Sequence, residues 1–394
     1  MKIGILLIIL TLISQTFSSE LERLIEFALK NNPGLRSYEN LKRSYGFKKE
    51  FSLSLPNPQV GIGLNNLDTE RFLPHRKNPM SGFALFLSQR YVLPVKRSRS
   101  AEIHERKAQR VEVAQESFRK ELVRQLKELY WEFSYSFEME RILREMEREV
   151  RDLLAITEER YRFGKALLSD LLLLRGELLK VEELISQALR LRETTVSRIH
   201  ALAGGRIELE GAPLKALPFP EGFDPERNVT VKLLREELEV IRREIERAKV
   251  EHYPDLFLSA GYTIRPEIPN LLTFRFGFTV PVWKSRREDL LVLEKEERYR
   301  AKLFELQNAK LKVEGEFSAL RSFYRITSRI LDTVEKEIEE KEKEISALLI
   351  AYEYERTDLR DILRAYRLLW SLEFDRARLV KELNQTVAKA EALQ

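Results

Sequence analysis

The chain has 394 residues, 33% of them charged, a formal net charge of +5 and no cysteine. Its 68 Lys+Arg are interleaved with 63 Asp+Glu, so there is no sustained basic stripe of the kind that binds nucleic acid. The missing cysteine excludes disulfides, thiolate metal sites, thiol nucleophiles and the lipid-accepting residue of a lipoprotein, while 15 Gly and 14 Pro are few enough to predict long uninterrupted elements.

Residues 1–18 read as a signal peptide. Lys2 provides the charge, Ile3 to Ile13 the apolar region, and Thr16–Phe17–Ser18 the small residues before a cleavage point after Ser18. No later stretch approaches the ~20 apolar residues of a spanning helix, so any membrane crossing has to use strands. Residues 19–203 then form a first repeat. Glu20 to about Leu53 is helical with a break at Asn31–Asn32–Pro33–Gly34, and Leu55–Pro56–Asn57–Pro58 ends it. Strands are expected near 59–65, where Val60, Ile62 and Leu64 alternate with glycines, and near 83–93. A helical run from Pro94 to about Phe163 follows, Gly164 breaks it, and a further helix reaches about Ala203. Residues 204–226, with several glycines and prolines, read as a linker. Residues 227–394 repeat the order: a helix ending at Tyr253–Pro254, strands near 256–264 and 272–280, a helical run from Ser285 to about Tyr354, and a last helix from Leu359.

The most informative strand is the last. Leu272, Phe274, Phe276, Phe278 and Val280 alternate with Thr273, Arg275, Gly277 and Thr279, a period of two with one aromatic and one polar face. A soluble sheet over a core has this pattern, and so does a membrane-barrel strand between lipid and a wet lumen. In the second case Trp283 and Tyr91 would sit at the membrane interface. Four strands are too few to close a barrel, since the smallest have about eight, and open edges in lipid cost several kcal/mol per unsatisfied group. If the strands enter a membrane, several copies must share one barrel.

The repeat is an internal duplication. Leu55–Pro56 answers Tyr253–Pro254, Pro94–Val95 answers Pro281–Val282, and Tyr161 through Leu172 answers Tyr352 through Leu363. A helical run of roughly 65 residues is on the order of 100 Å long. Leu122–Leu126–Leu129–Phe133, Leu143–Met146–Val150–Leu153–Thr157 and Leu331–Val334–Ile338–Ile345–Leu348–Tyr352 step as coiled-coil seams. The fold expected is mainly α, with duplicated long helical hairpins and a small β portion. Catalytic chemistry is thin: His75, His104, His200 and His252 are scattered with no pair at ligand spacing, and there is no phosphate loop or nucleophile motif. No enzyme activity, cofactor or metal is expected.

Ala28–Leu29–Lys30–Asn31–Asn32–Pro33, Leu55–Pro56–Asn57–Pro58, Leu87–Ser88–Gln89, Thr279–Val280–Pro281–Val282–Trp283 and the stretch Tyr352 to Leu363 together resemble the TolC family of outer-membrane efflux proteins, particularly its heavy-metal and drug-efflux members. The resemblance covers essentially the whole mature chain. It implies a homotrimer in the bacterial outer membrane, with a twelve-stranded β-barrel in lipid and an α-barrel extending into the periplasm. Its partners would be a periplasmic adaptor (a membrane fusion protein) and an inner-membrane pump of the RND type. The resemblance further implies a periplasmic gate at Tyr352 and Asp170 with an acidic ring at Asp361, where Arg364 stands at a second position that is acidic in the family. Gly164, Arg356 and Thr357 would mark turns touched by the adaptor, and Phe274, Phe276 and Phe278 would face lipid. For Asp170 and Asp361 the alternative is helix N-terminal charge, favourable beside the macrodipole. The other functional readings are an exit duct for type I protein secretion and, in a different class, a periplasmic or secreted coiled-coil scaffold.

Overall fold

The computed structural model describes residues 20–67, 69, 73–74 and 77–394; the expected signal peptide and His75 lie outside the described residues. In chain order the elements are α1 (20–31), α2 (Pro33–Leu53), β1 (Gln59–Asn65), β2 (Gly82–Tyr91), α3 (Pro94–Arg162), α4 (Leu168–Ala203), α5 (Val229–Lys249), β3 (Leu256–Ile264), β4 (Leu271–Phe278), α6 (Glu288–Glu353) and α7 (Leu359–Leu393). Among the described residues no helix is long and apolar enough to cross a membrane. The chain folds into two compact units, one made of Ser37–Gln115 and Val229–Lys310, the other of the residues up to Arg36, Glu116–Asn228 and Leu311–Gln394.

The first of these units holds the sheet. Its strands run antiparallel in the order β1-β2-β3-β4, and the helices joined to them pair in the same order. Lys49 of α2 reaches Glu105 of α3 at 3.3 Å, and Lys42 pairs with Glu112. On α5, Glu237 and Glu244 lie one heptad apart and each contacts both neighbours. Glu237 meets Arg110 of α3 at 3.4 Å and Lys302 of α6 at 3.2 Å, and Glu244 meets Lys107 at 3.7 Å and Lys295 at 3.8 Å. Buried Val231, Leu238 and Leu306 fill the α5–α6 contact. The unit is therefore one layer of strands continued by one layer of helices.

The register puts Ile62, Leu85, Tyr262 and Leu272 in one cross-strand row, and Val60, Leu87, Ala260 and Phe274 in the next. These side chains share a face, because partners in a ladder point the same way. The opposite face carries Ser88, Ser259, Thr263, Thr273 and Arg275, with two aromatic exceptions. Phe86 lies directly across from Gly61, and Phe257 across from Gly277. A Cβ built at either glycine would overlap the partner ring, so each ring covers a bare backbone.

β2 ends at Tyr91 instead of continuing to 93. Pro94 begins α3, and the carbonyl of Leu93 accepts the amides of Lys96 and Arg97 at 3.0 and 3.2 Å, so this segment caps the helix. β4 likewise stops at Phe278 and not at 280. Thr279 turns to take the Asp255 amide on its hydroxyl at 2.9 Å, and Pro281 has no amide to donate.

The second unit is built on helix packing. Ile142, Val150, Leu174, Val181, Leu331, Ile338, Ile362 and Leu369 come from α3, α4, α6 and α7 and are all buried in one core, following the seam positions of the sequence. A second cluster joins Leu24 and Ala28 of α1 to Leu122, Leu126, Tyr130 and Ile199. The break between α1 and α2 is capped by Asn32, whose side chain accepts the Gly34 amide and donates to the Leu202 carbonyl, both at 2.7 Å. Pro33 fits at the first helical position, where no amide is needed.

Residues 204–226 are not a free linker. Buried Ala212 and half-buried Ile207, Leu209, Leu214 and Leu217 pack on the second cluster, and Asn384 of α7 binds Lys215 and Leu217 of the segment at 2.7 and 2.8 Å. Phe223 stacks on Phe317 with centroids 4.3 Å apart. The glycines and prolines let an extended strap follow the helices, with Gly211 at φ 86° and tight against Phe137. The composition of a linker and of a packed strap is the same; only the apolar residues between the prolines distinguish them.

The glycine–aromatic pairs carry a test. Gly61→Ala and Gly277→Ala should each lower stability by about 1–3 kcal/mol through overpacking. Gly63→Ala, whose Cβ meets nothing closer than 3.9 Å, should change it by less than about 0.5 kcal/mol. Thermal melts of the three variants compare them.

Candidate functional site

Two places concentrate the chain's polar organisation: the junction between strands and helices, and the paired turns of the long hairpins. At the junction Lys96 is 3% exposed. Its ammonium donates to Asp255 at 2.9 Å and lies 3.1 Å from Glu251, while Arg90 at the end of β2 also binds Asp255. The Asp255 carbonyl accepts the Thr279 amide at 2.9 Å. Asp255 thus ties these ends together, its carboxylate holding the end of β2 and the first turn of α3 and its backbone holding the end of β4. Burial alone would push the Asp255 carboxyl up, but the hydrogen bonds and charges of Arg90 and Lys96 outweigh it and hold it below the usual carboxylate range.

Beyond the junction the apolar sheet face is bare. Phe274, Phe276 and Phe278 are 73%, 67% and 56% exposed, Ile62 86% and Val60 70%. Trp283 is exposed just past β4, and Tyr91, at the end of β2, lies under the Arg97 guanidinium at 6.0 Å. So large an apolar surface is unusual on a soluble sheet. Among the described residues the outer edges of β1 and β4 pair with no strand.

The two turns are copies of one motif. Gly164 and Glu355 occupy the left-handed region at φ 71° and 59°. After them Lys165 donates to the Arg160 carbonyl at 2.8 Å, and Arg356 to the Ala351 carbonyl at 2.9 Å. Each is a helix C-cap in which the chain reverses. Asp170 and Asp361 then stand at the same place in the first turns of α4 and α7. The amide of Asp170 bonds Leu167, and that of Asp361 bonds Asp358, both at 3.1 Å. The Asp170 carboxylate also takes the Leu167 amide at 3.2 Å, the carboxylate half of a capping box, since Leu167 has no side-chain acceptor to offer in return. Asp361 accepts from Thr357 at 3.4 Å and lies 3.8 Å from Arg364.

The turns face each other across a cleft lined by Arg160, Lys165, Asp170, Tyr352 and Glu355. Tyr352 is buried, Gly164 and Arg356 are exposed, and Lys165 meets Glu355 at 2.8 Å. The residue that sequence reading missed is Arg160. Its guanidinium lies over the Tyr352 ring at 4.3 Å and donates to the Tyr352 carbonyl at 3.0 Å, clamping one hairpin to the other. The signal was available in the duplication, because the counterpart of Arg160 is Ala351 and the two repeats differ there. Asp170 is brought beside Tyr352 in the cleft, but its carboxylate is engaged by its own helix. Further along the hairpins, Trp370 of α7 donates to Glu149 of α3 at 2.6 Å, and burial pushes the Glu149 carboxyl up.

Residues 24–205 match the family model described as Outer membrane efflux protein. The fold of the whole chain is shared with solved channels of that kind, which bears out the resemblance read from the sequence. CusC is 14% identical, with 95% of this chain and 92% of that one covered and a TM-score of 0.79. The CmeC outer membrane channel of Campylobacter jejuni is 13% identical over 95% and 85%, with a TM-score of 0.74. The open state of the MtrE outer membrane channel of Neisseria gonorrhoeae is 14% identical over 95% and 88%, with a TM-score of 0.73. No curated protein matches in sequence.

The junction should govern acid stability. The depressed Asp255 carboxyl contributes stability that is present above the ordinary carboxylate pKa and lost as pH falls through the lowered value in the folded state. Asp255→Asn should remove that part of the acid dependence, and Lys96→Met should cost about 3–5 kcal/mol at neutral pH by stripping a buried pair. Denaturant midpoints measured between pH 7 and about pH 3 separate the two.

Proposed function

From its kinship with the outer membrane efflux proteins, we propose that this chain is the outer-membrane exit duct of a tripartite efflux pump. Three copies share one barrel of twelve strands, and the long helices descend into the periplasm to meet an adaptor and an inner-membrane pump of the RND type. The observation that carries this reading is the sheet: a largely apolar exposed face, a more polar opposite face and two edges that pair with no strand among the described residues. In lipid such edges have to be closed by other strands, and four strands per chain close at a multiple that reaches the eight or more a membrane barrel needs. The match of residues 24–205 to the outer membrane efflux protein family and the fold shared with outer membrane channels support an outer-membrane placement.

The apolar face then meets lipid through Phe274, Phe276 and Phe278, and the face bearing Thr273 and Arg275 lines the lumen. Trp283 and Tyr91 mark the interface. The paired turns form the periplasmic mouth, where Gly164, Arg356 and Thr357 are reachable by an adaptor. Asp361, repeated around a threefold axis, favours cations in the mouth, with Arg364 beside it reducing the charge of the ring. The clamp of Arg160 on Tyr352 keeps the two hairpins together in the closed state. Exposed pairs such as Lys165–Glu355 are screened by water and salt and contribute little, so the stacked, hydrogen-bonded Arg160 is the stronger tie.

Purified protein should require detergent and have the mass of a trimer; a stable monomer in plain buffer would overturn the reading. Phe276→Arg should cost about 2–4 kcal/mol near the bilayer midplane, whereas Thr273→Arg should leave assembly intact and change conductance. Folding into vesicles and bilayer recordings compare the pair, and equal costs would point to a soluble sheet.

The gate is tested in the same bilayers. Arg160→Ala should raise single-channel conductance, while Lys165→Ala, and Tyr352→Phe combined with Asp170→Ala, which keeps the ring and carbonyl that Arg160 holds, should change it little. Asp361→Ala should weaken cation selectivity without altering trimer stability. Unchanged conductance and selectivity throughout would leave these residues as helix caps and packing contacts.

A further inference from the structure

The unit that holds the sheet also holds a pocket of about 320 Å³, where α3, α5 and α6 come together. That volume is at the lower end of the roughly 300–1,000 Å³ of small-molecule sites. Its apolar part is made by Ile103, Ala248 and Leu291, one from each helix. Ala248 is buried, and a side chain of one methyl leaves room above the middle helix. Lys107 of α3 and Lys295 of α6 stand on either side of it, and His104 lies one turn from Lys107.

Cations outnumber carboxylates here. Glu244 of α5 is shared by Lys107 at 3.7 Å, Lys295 at 3.8 Å and Arg298 at 3.4 Å. Neither ammonium comes within hydrogen-bond distance of it, about 2.7–3.2 Å, so one carboxylate sits between two lysines and satisfies neither. Glu251, the other carboxylate of the pocket, is engaged by Arg247 and by buried Lys96 at 3.1 Å. Lys295 has a further partner in Glu294 at 3.0 Å, an exposed side chain. Lys107 has no other ion pair among the described residues. The surplus charge reaches His104. Burial first, and then the charges of Lys107 and Lys48, hold its pKa below the usual histidine range, and its Nδ1 is buried without a hydrogen-bond partner.

We propose that this pocket binds an amphipathic anion, with a phosphate or carboxylate head between Lys107 and Lys295 and an apolar part over Ile103, Ala248 and Leu291. The head completes the ammonium hydrogen bonds that Glu244 leaves unmade, and charge-assisted bonds of this kind are the strong ones. A soluble anionic amphiphile and the headgroup of an anionic lipid offer the same chemistry. The soluble source goes beyond the efflux reading and does not need it; the lipid source rests on the placement of the sheet in a membrane.

Calorimetric titration of the full chain in a non-ionic detergent tests the site, with titration into detergent alone subtracted. Octyl phosphate is the soluble probe, a short-chain phosphatidylglycerol the lipid probe, and a short-chain phosphatidylcholine the zwitterionic control. Lys107→Met and Lys295→Met keep their apolar stems and should each weaken binding of the anionic probes about tenfold, the loss of one hydrogen bond to a charged group. Glu244→Gln removes the competing carboxylate and should tighten binding several-fold. Lys302→Met, which breaks the comparable contact with Glu237 one heptad away, should leave binding unchanged. Helical circular dichroism checks that each variant is folded. Tighter binding of octyl phosphate assigns the soluble source and tighter binding of phosphatidylglycerol the lipid source, and either supports the site. No binding of either anionic probe, or equal binding of phosphatidylcholine, would overturn the proposal. So would lysine variants that bind as the native chain does, or a Glu244→Gln variant that fails to bind more tightly. An equal loss in Lys302→Met would overturn it by reducing the effect to attraction towards a basic surface.

Discussion

Unpaired backbone at the edges of β1 and β4 is the constraint on which the rest of the structure depends. A soluble sheet can hydrate its edges or blunt them with charge and proline. Here β1 carries no charge or proline and β4 a single charge, Arg275, and the large side chains beside them are exposed and apolar. A sheet of this kind leaves both outer edges open, and the helices joined to its strands follow the same order.

Passing directly from strand to helix creates a second demand. Where β2 gives way to α3 and β3 begins, backbone groups leave the ladder before helical bonds are available. Buried Asp255 and Lys96, joined by Glu251 and the exposed Arg90 and Thr279, close that gap with one polar cluster. Its charges are matched, so burial is offset by attraction and hydrogen bonds, but loss of one member would leave an uncompensated charge. On the polar face of the sheet, Phe86 over Gly61 and Phe257 over Gly277 give the glycine positions the cover they lack themselves. The two repeats use opposite strands for ring and glycine, so the pair is conserved in geometry and not in order along the chain.

The duplication produces two hairpins with the same turn, yet the turns are not equivalent in the folded protein. Gly164 takes the left-handed position without strain, whereas Glu355 holds it with a side chain, which carries a conformational cost and places a carboxylate opposite Lys165. Tyr161 and Tyr352 are repeat counterparts, but Tyr161 is 43% exposed and Tyr352 is 7% exposed. Tyr352 belongs to the core of the long helices, and Arg160, present in one repeat only, reaches across to cover it. A symmetric scaffold thereby acquires one asymmetric clamp.

Local patterns alone determined the duplication, the two-faced strands, the coiled-coil seams and the breaks at Asn32–Pro33, Gly164 and Pro281. Each is a short-range matter of side-chain period, fixed φ or a missing amide, and each is legible in a few consecutive residues. The tertiary structure decided what depends on distant partners. It made residues 204–226 a packed strap, since Ala212 and Leu217 find α1, α3 and α7 far away in sequence. It turned Thr279 from the expected lumen row to the Asp255 amide, and it placed Arg160 on Tyr352 across 192 positions. Asp170 and Asp361 lie between these cases: their charge at a helix start was readable, but only the folded turns reveal that the Asp170 carboxylate bonds its own helix while the cleft between the hairpins is held by its neighbours.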